Sequence, residues 1–193
     1  MCARFFVDDD IFASIEAVTD AQSEAAASLR YGDVGPARQA PVIVGKQGRL
    51  FADAMTWGFP RYDGKGLVIN ARSETAAEKP MFRDSFRFRR CVVPAKHFYE
   101  WDSAKNLVTF RRPDDPVLYM AGLYEPFSGQ NRFTVLTTAA NASVSKFHDR
   151  MPVLLDRNDL AAWLFDGSAA PQLTEKEMPA LASWQDNEQL SLF

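Results

Sequence analysis

Arg89–Thr138 reads RRCVVPAKHFYEWDSAKNLVTFRRPDDPVLYMAGLYEPFSGQNRFTVLTT. Five β-like runs follow one another in it: Arg89–Val93, His97–Asp102, Leu107–Phe110, Val117–Leu123 and Arg132–Thr138. They are rich in β-branched and aromatic residues and are separated by Pro, Asn or Gly turns. No helical stretch comes between them, so the regular βαβ alternation of a parallel sheet is missing.

Working outward, Asp10 is placed to cap a helix over residues 11–29, with Ile11, Ile15, Val18 and Ala25 as a partial apolar stripe. The Gly- and Pro-rich segment Tyr31–Ala40 ends it. Pro41–Val44 and Leu50–Trp57 then read as a hairpin around Gly45–Gly48, closed off by Gly58 and Pro60. Leu67–Asn70 is a short apolar strand that delivers Asn70 to its end. Glu74–Lys79 and Met81–Phe86 read as single helical turns around Pro80. Beyond the quoted stretch, Asn141 or Ser143 caps a short helix to Phe147, Met151–Leu155 is a strand, and Asp156 caps a helix through Phe165. About eight strands against three to five helices predict an α+β single domain with a curved, mainly antiparallel, barrel-like sheet flanked by short helices. Residues 1–165 hold this domain, and 166–193 read as a looser C-terminal extension.

The chain has 193 residues, 47% hydrophobic and 24% charged, an ordinary globular balance. No run approaches the roughly 18 apolar residues that span a bilayer, and Asp8, Asp9 and Asp10 do not suit a leader peptide, so a cytoplasmic protein without membrane association is expected. In a reducing compartment Cys2 and Cys91 are expected as free thiols. Two histidines and no close Cys/His set imply no metal site. The net charge of −3 argues against bulk nucleic-acid affinity. Arg72–Lys96 nevertheless holds seven basic and three acidic residues. That basic middle lies between acidic ends, as a phosphate-binding face or as the solvated side of a strand.

The first five residues are Met1, Cys2, Ala3, Arg4 and Phe5. Removal of Met1 would give a terminal cysteine, with an amine and a thiol on adjacent carbons. An aldehyde condenses with such an amine to a Schiff base, and the sulfur then closes a five-membered thiazolidine. A terminal amine with pKa of roughly 7.7 to 8 is neutral in roughly a tenth to a sixth of molecules at pH 7.

Three further stretches stand in order behind it: Asn70-Ala71-Arg72-Ser73-Glu74-Thr75, then Arg90-Cys91-Val92-Val93-Pro94 running into Phe98-Tyr99-Glu100-Trp101, then His148-Asp149-Arg150-Met151-Pro152. In this order and spacing the chain resembles the SRAP family, SOS-response-associated peptidase-like proteins that shield abasic sites in single-stranded DNA. The resemblance extends to about Phe165. It implies a covalent thiazolidine between Cys2 and the open-chain aldehyde of an abasic site, without cofactor or metal.

On that resemblance Asn70 orients the amine or the sugar, Glu100 moves protons, and His148 donates to the sugar oxygen. The residues alone leave other roles open. Glu100 also reads as a strand carboxylate paired with an arginine, His148 as a structural histidine, and Asn70 as a turn residue. Arg4, Arg72 and Arg83 match positions that the family uses on the DNA backbone. Trp57 and Phe59 are candidates for base stacking, with core packing the competing role for Trp57. Ala3 and His97 stand where the family usually has Gly, and Trp57-Gly58-Phe59-Pro60 is shorter than the usual stretch. Gln189, Leu190, Ser191, Leu192 and Phe193 look like the pentapeptide that docks on the bacterial sliding clamp at damaged forks; the competing reading is a terminus folded onto its own domain. A monomer is expected. Two rival functions keep the same residues: a thiol peptidase built on Cys2 and His148 with Glu100 or Asn70, and a non-covalent module for single strands and the clamp.

Overall fold

The computed structural model describes residues 2–30 and 32–185. In chain order the strands are β1 (Arg4–Val7), β2 (Ala21–Gln22), β3 (Gly32–Val34), β4 (Gln39–Lys46), β5 (Arg49–Trp57), β6 (Phe59–Pro60), β7 (Leu67–Val68) and β8 (Asn70–Arg72). They continue with β9 (Arg90–Ala95), β10 (His97–Trp101), β11 (Leu107–Arg111), β12 (Leu118–Phe127), β13 (Gln130–Ala139), β14 (Arg150–Pro152), β15 (Leu154–Leu155) and β16 (Ala182–Trp184). The helices are α1 (Asp9–Glu16), α2 (Glu24–Ala27), α3 (Ser73–Ala76), α4 (Arg83–Phe88), α5 (Leu160–Phe165) and α6 (Ala169–Glu175). The chain is thus an α+β fold with short helices, as its strand-rich middle predicts.

Five strands close on themselves. β5 and β9 flank β4, β9 pairs with β12, and β12 pairs with β13, all antiparallel. β13 then returns to β5 in parallel, at Arg132↔Thr56 and Phe133↔Trp57. Closure removes the open edges that a sheet of this length would otherwise expose. It also explains why Val42-Ile43-Val44 and Arg90–Ala95 are buried at every position rather than alternately. One side of each strand fills the barrel, and the other is covered by the helices and by a second sheet.

That second sheet has the order β16-β11-β10-β1-β3 and is antiparallel throughout. Alternation holds along β1 and β10, whereas in β11 Thr109 is buried along with its neighbours. Phe5, Val7, Phe98, Glu100, Val108 and Phe110 are buried, while Arg4, Phe6, His97 and Tyr99 are only partly covered. The buried face rests on the barrel through Phe5, whose ring lies 5.0 Å from that of Trp57. Fully burying one such aromatic side chain is worth about 1.5–3 kcal/mol.

Three expected elements differ. The helix foreseen over 11–29 is two short ones. Asp8, not Asp10, caps α1 by accepting from Ile11 N at 3.2 Å, and Ile11 and Ile15 supply its buried stripe. Asp20 then accepts from Leu50 N at 2.9 Å, and β2 pairs in parallel with β5, so sheet-edge hydrogen bonds replace helical ones before Ser23 caps α2. Residues 142–147 form successive turns rather than a helix, although Asn141 does cap their start: its Oδ1 accepts from Ser143 N at 3.0 Å, while its Nδ2 donates to Met178 O and Pro179 O at 3.0 and 2.9 Å. Residues 166–185 are more regular than expected: α6 follows α5, β16 extends the second sheet beside β11, and Met178 and Leu181 are buried.

Gly122 marks a close approach of strands within the barrel wall. A Cβ there would lie 2.9 Å from Cys91 Sγ and 3.1 Å from Thr134 O. Gly122→Ala should therefore lower unfolding stability by about 1–3 kcal/mol through overpacking, seen as a reduced urea midpoint at unchanged slope.

Candidate functional site

β1 sets its side chains alternately in and out, and Cys2 breaks the rule. Two residues before the outward Arg4, it should point out, yet it is 1% exposed. The chain turns inward ahead of the strand, and the Cys2 thiol lies 3.8 Å from Arg4 O. Burial drives its pKa up, and the nearby Glu100 charge drives it further. The thiol is consequently protonated at neutral pH.

Asn70, at the start of β8 beside Val135 of β13, holds this turn in place. Its Nδ2 donates to Cys2 O at 2.8 Å, across the seam between the two sheets. Its Oδ1 is buried without a hydrogen-bond partner among the described residues. A buried amide oxygen left in that state costs about 1–3 kcal/mol. It is an acceptor placed beside the first residues of the chain.

Glu100 stands on the inward face of β10 and is 2% exposed. Burial raises its carboxyl pKa above the usual range, and the His148 charge offsets part of this. The carboxyl therefore holds a proton further toward neutral pH than a surface glutamate. His148 comes from the segment ahead of β14. Its Nδ1 is 2.9 Å both from Arg150 N and from Asp149 Oδ1, and cannot serve both. The Arg150 N–H is fixed by the strand, whereas the Asp149 side chain is 82% exposed. Nδ1 thus accepts from the backbone N–H, which leaves Nε2 as the nitrogen that can donate.

Cys2, Asn70, Glu100 and His148 are thereby brought together at one end of the seam, two from the small sheet and two from the barrel. A further pair braces them. Arg150 binds both oxygens of Glu74, at 2.6 and 2.8 Å, and reaches Thr137 O at 2.6 Å. This bidentate bridge ties the segment that begins at Asn70 to the one that contains His148, and it holds the Glu74 carboxyl below its ordinary pKa. Both residues lie inside the quoted motifs, and their opposite charges were the available signal.

The expected DNA contacts divide. Arg4 is part-exposed, pairs with Asp33 and lies over the Tyr99 ring at 5.0 Å. Arg72 is exposed two residues beyond Asn70. Arg83 opens α4, next to Asp84 at 3.5 Å, and lines a surface cavity with Arg87 and Phe86. Trp57 and Phe59 are both 0% exposed, so the expectation that they stack on bases is corrected. Trp57 stacks parallel to Phe133 and donates its indole N–H to Ile69 O at 2.9 Å, and Phe59 packs on Phe82 and Phe127. His97 points to the outward face, with Nε2 2.8 Å from the Tyr99 hydroxyl. Cys2 and Cys91 are free thiols, and no group of three or more His, Cys, Asp or Glu among the described residues is placed to hold a metal ion. No described helix is long and apolar enough to cross a membrane. Gln189–Phe193 lie outside the described residues.

The family model described as SOS response associated peptidase (SRAP) matches residues 1–191. The abasic site processing protein YoaM of Bacillus subtilis is 36% identical over 113 residues, 54% of this chain and 50% of that protein. Its counterpart YedK of Escherichia coli is 27% identical over 140 residues, 68% of this chain and 63% of that one. The chain spans about half the length of the first of these relatives. A solved protein of Bacteroides thetaiotaomicron superposes with TM-score 0.81 at 20% identity, covering 95% of this chain and 91% of that one, a likeness of fold.

The raised Glu100 pKa has a consequence for stability. The folded protein holds a proton there that the unfolded chain releases above about 4.5. Folding thus becomes less favourable as pH climbs from that value through the folded pKa. Glu100→Gln should match the parent near pH 4 and be the more stable of the two near pH 7.5, measured by urea unfolding across pH.

Proposed function

Since the chain belongs to the SOS response associated peptidase (SRAP) family, we propose that it binds abasic sites in single-stranded DNA and forms a thiazolidine crosslink through Cys2. The relatives' names support processing of abasic sites. The observation that carries the chemistry is the buried pair of Cys2 and Glu100, with the Asn70 amide bridging to Cys2 O and its Oδ1 still able to accept.

With Met1 removed, the neutral Cys2 amine adds to the C1′ aldehyde, and Asn70 Oδ1 orients that amine. His148 Nε2 donates to the sugar oxygen, favouring the open chain. The protonated Glu100 then gives its proton to the carbinolamine hydroxyl, which leaves as water, and an iminium remains. Glu100, now a carboxylate, takes the thiol proton as sulfur adds to the iminium carbon. One water is lost overall, and Glu100 ends protonated as it began. A buried, protonated thiol suits this order of events. It is the reverse of the low-pKa thiolate that a thiol peptidase uses.

The protein acts in the cytoplasm and as a monomer in this reading. Arg4 and Arg72 hold phosphates, without reading sequence. Gln189–Phe193 dock the protein on the bacterial sliding clamp, which raises its local concentration where single strands arise.

Intact mass spectrometry with an oligonucleotide carrying one abasic site tests the chemistry. The expected adduct is protein lacking Met1 plus oligonucleotide minus one water, absent in Cys2→Ala and formed about 10²- to 10⁴-fold more slowly in Glu100→Gln. A Cys2-initiated protein that yields no adduct stable to denaturation would exclude the covalent reading. Deleting residues 189–193 should abolish capture by immobilised sliding clamp while leaving adduct formation unchanged.

A further inference from the structure

The four tryptophans divide into two pairs. Trp57 and Trp163 are fully buried, each with its indole N–H donated to a backbone carbonyl at 2.9 Å. Trp101 and Trp184 are 41% and 37% exposed. Both belong to the small sheet, on the face opposite Phe98 and Phe110. Sheet register places Arg4, Tyr99, Thr109 and Trp184 in one row across β1, β10, β11 and β16. Phe6 and His97 are paired in the adjoining row, and Trp101 follows Tyr99 by two residues on the same face.

His97 is the centre of this face. Its ring lies parallel to Phe6 at 4.9 Å and edge-on to Tyr99 and Trp184 at 4.9 and 5.9 Å. A glycine in its place would leave Trp184 without that lateral support. A guanidinium stands over each outer ring: Arg4 over Tyr99 at 5.0 Å, and Arg111 over Trp184 at 5.6 Å.

Exposed rings held rigidly between two cations match an occupant that is flat, aromatic and negatively charged along its backbone. We infer that this face is a stacking surface for unpaired nucleobases flanking the lesion, with Trp184 as the principal ring and Arg111 and Arg4 on the adjoining phosphates. The inference rests on the single-stranded DNA reading above and extends it beyond the lesion itself. Continuity with that site supports it: Arg4, the first residue of β1, follows Cys2 by two residues. A nucleotide next to one held at Cys2 therefore comes within reach of the row. The role that Trp57 and Phe59 cannot fill from the core falls to Tyr99 and Trp184.

The test is a tryptophan-fluorescence titration of the full chain with undamaged oligothymidylate, which needs no aldehyde chemistry. Emission should be quenched on binding, because Trp101 and Trp184 are open to the base. Trp184→Leu should weaken affinity about 5- to 100-fold and remove most of the quench, and Trp184→Phe should restore most of the affinity. Arg111→Gln should lower the salt dependence by roughly one phosphate contact. Unchanged far-UV circular dichroism would confirm that each variant is folded. Binding that is tight but indifferent to Trp184→Leu and Arg111→Gln overturns the stacking surface alone. Parent protein that binds neither this oligonucleotide nor an abasic one overturns the substrate reading as well.

Discussion

One hydrogen bond, from Asn70 Nδ2 to Cys2 O, joins the two layers of this protein at the candidate site. The barrel and the small sheet are each well packed without it. Neither alone contains more than half of the site. Cys2 and Glu100 arrive on the small sheet, Asn70 and His148 on the barrel. The bond fixes their relative position to within hydrogen-bonding tolerance. It also explains how a chain end, ordinarily the least ordered part of a domain, becomes one of its most buried points.

Burial at that seam has a cost that the fold accepts. Two titratable side chains, Cys2 and Glu100, are removed from water side by side, and the Asn70 carbonyl oxygen is left without a partner among the described residues. Each would be avoided in a core selected only for stability. Together they raise the pKa of the carboxyl and of the thiol, and leave an acceptor open. Such local penalties are carried by a barrel whose strands Val42–Val44, Arg90–Ala95 and Leu118–Leu123 are buried throughout. The Arg150–Glu74 bridge adds a second restraint, since it anchors the residue whose backbone N–H orients His148.

Much of the fold was legible in alternation and turn residues. The runs from Arg89 to Thr138 became β9 to β13 with ends shifted by a few residues. The failures have identifiable causes. Residues 11–29 carry enough alanine for a helix, but Asp20 and Ala21–Gln22 find partners on β5, a tertiary contact that propensity does not encode. Trp57 and Phe59 flank a glycine in a pattern compatible with a surface wedge. Closure of β13 onto β5 puts them inside instead.

From the sequence alone follow the strand-rich α+β class, the adjacent amine and thiol that Cys2 would present once Met1 is removed, and the four ordered motifs that carry Asn70, Glu100 and His148. These depend on residue type, local periodicity and order along the chain, which one dimension preserves. Tertiary structure alone decided that Cys2 turns inward, that Glu100 is buried with its carboxyl pKa raised, and that Trp184 is held beside His97 and Tyr99. Each of these is set by pairing between distant strands. Desolvation and ring packing depend on that pairing rather than on sequence neighbours.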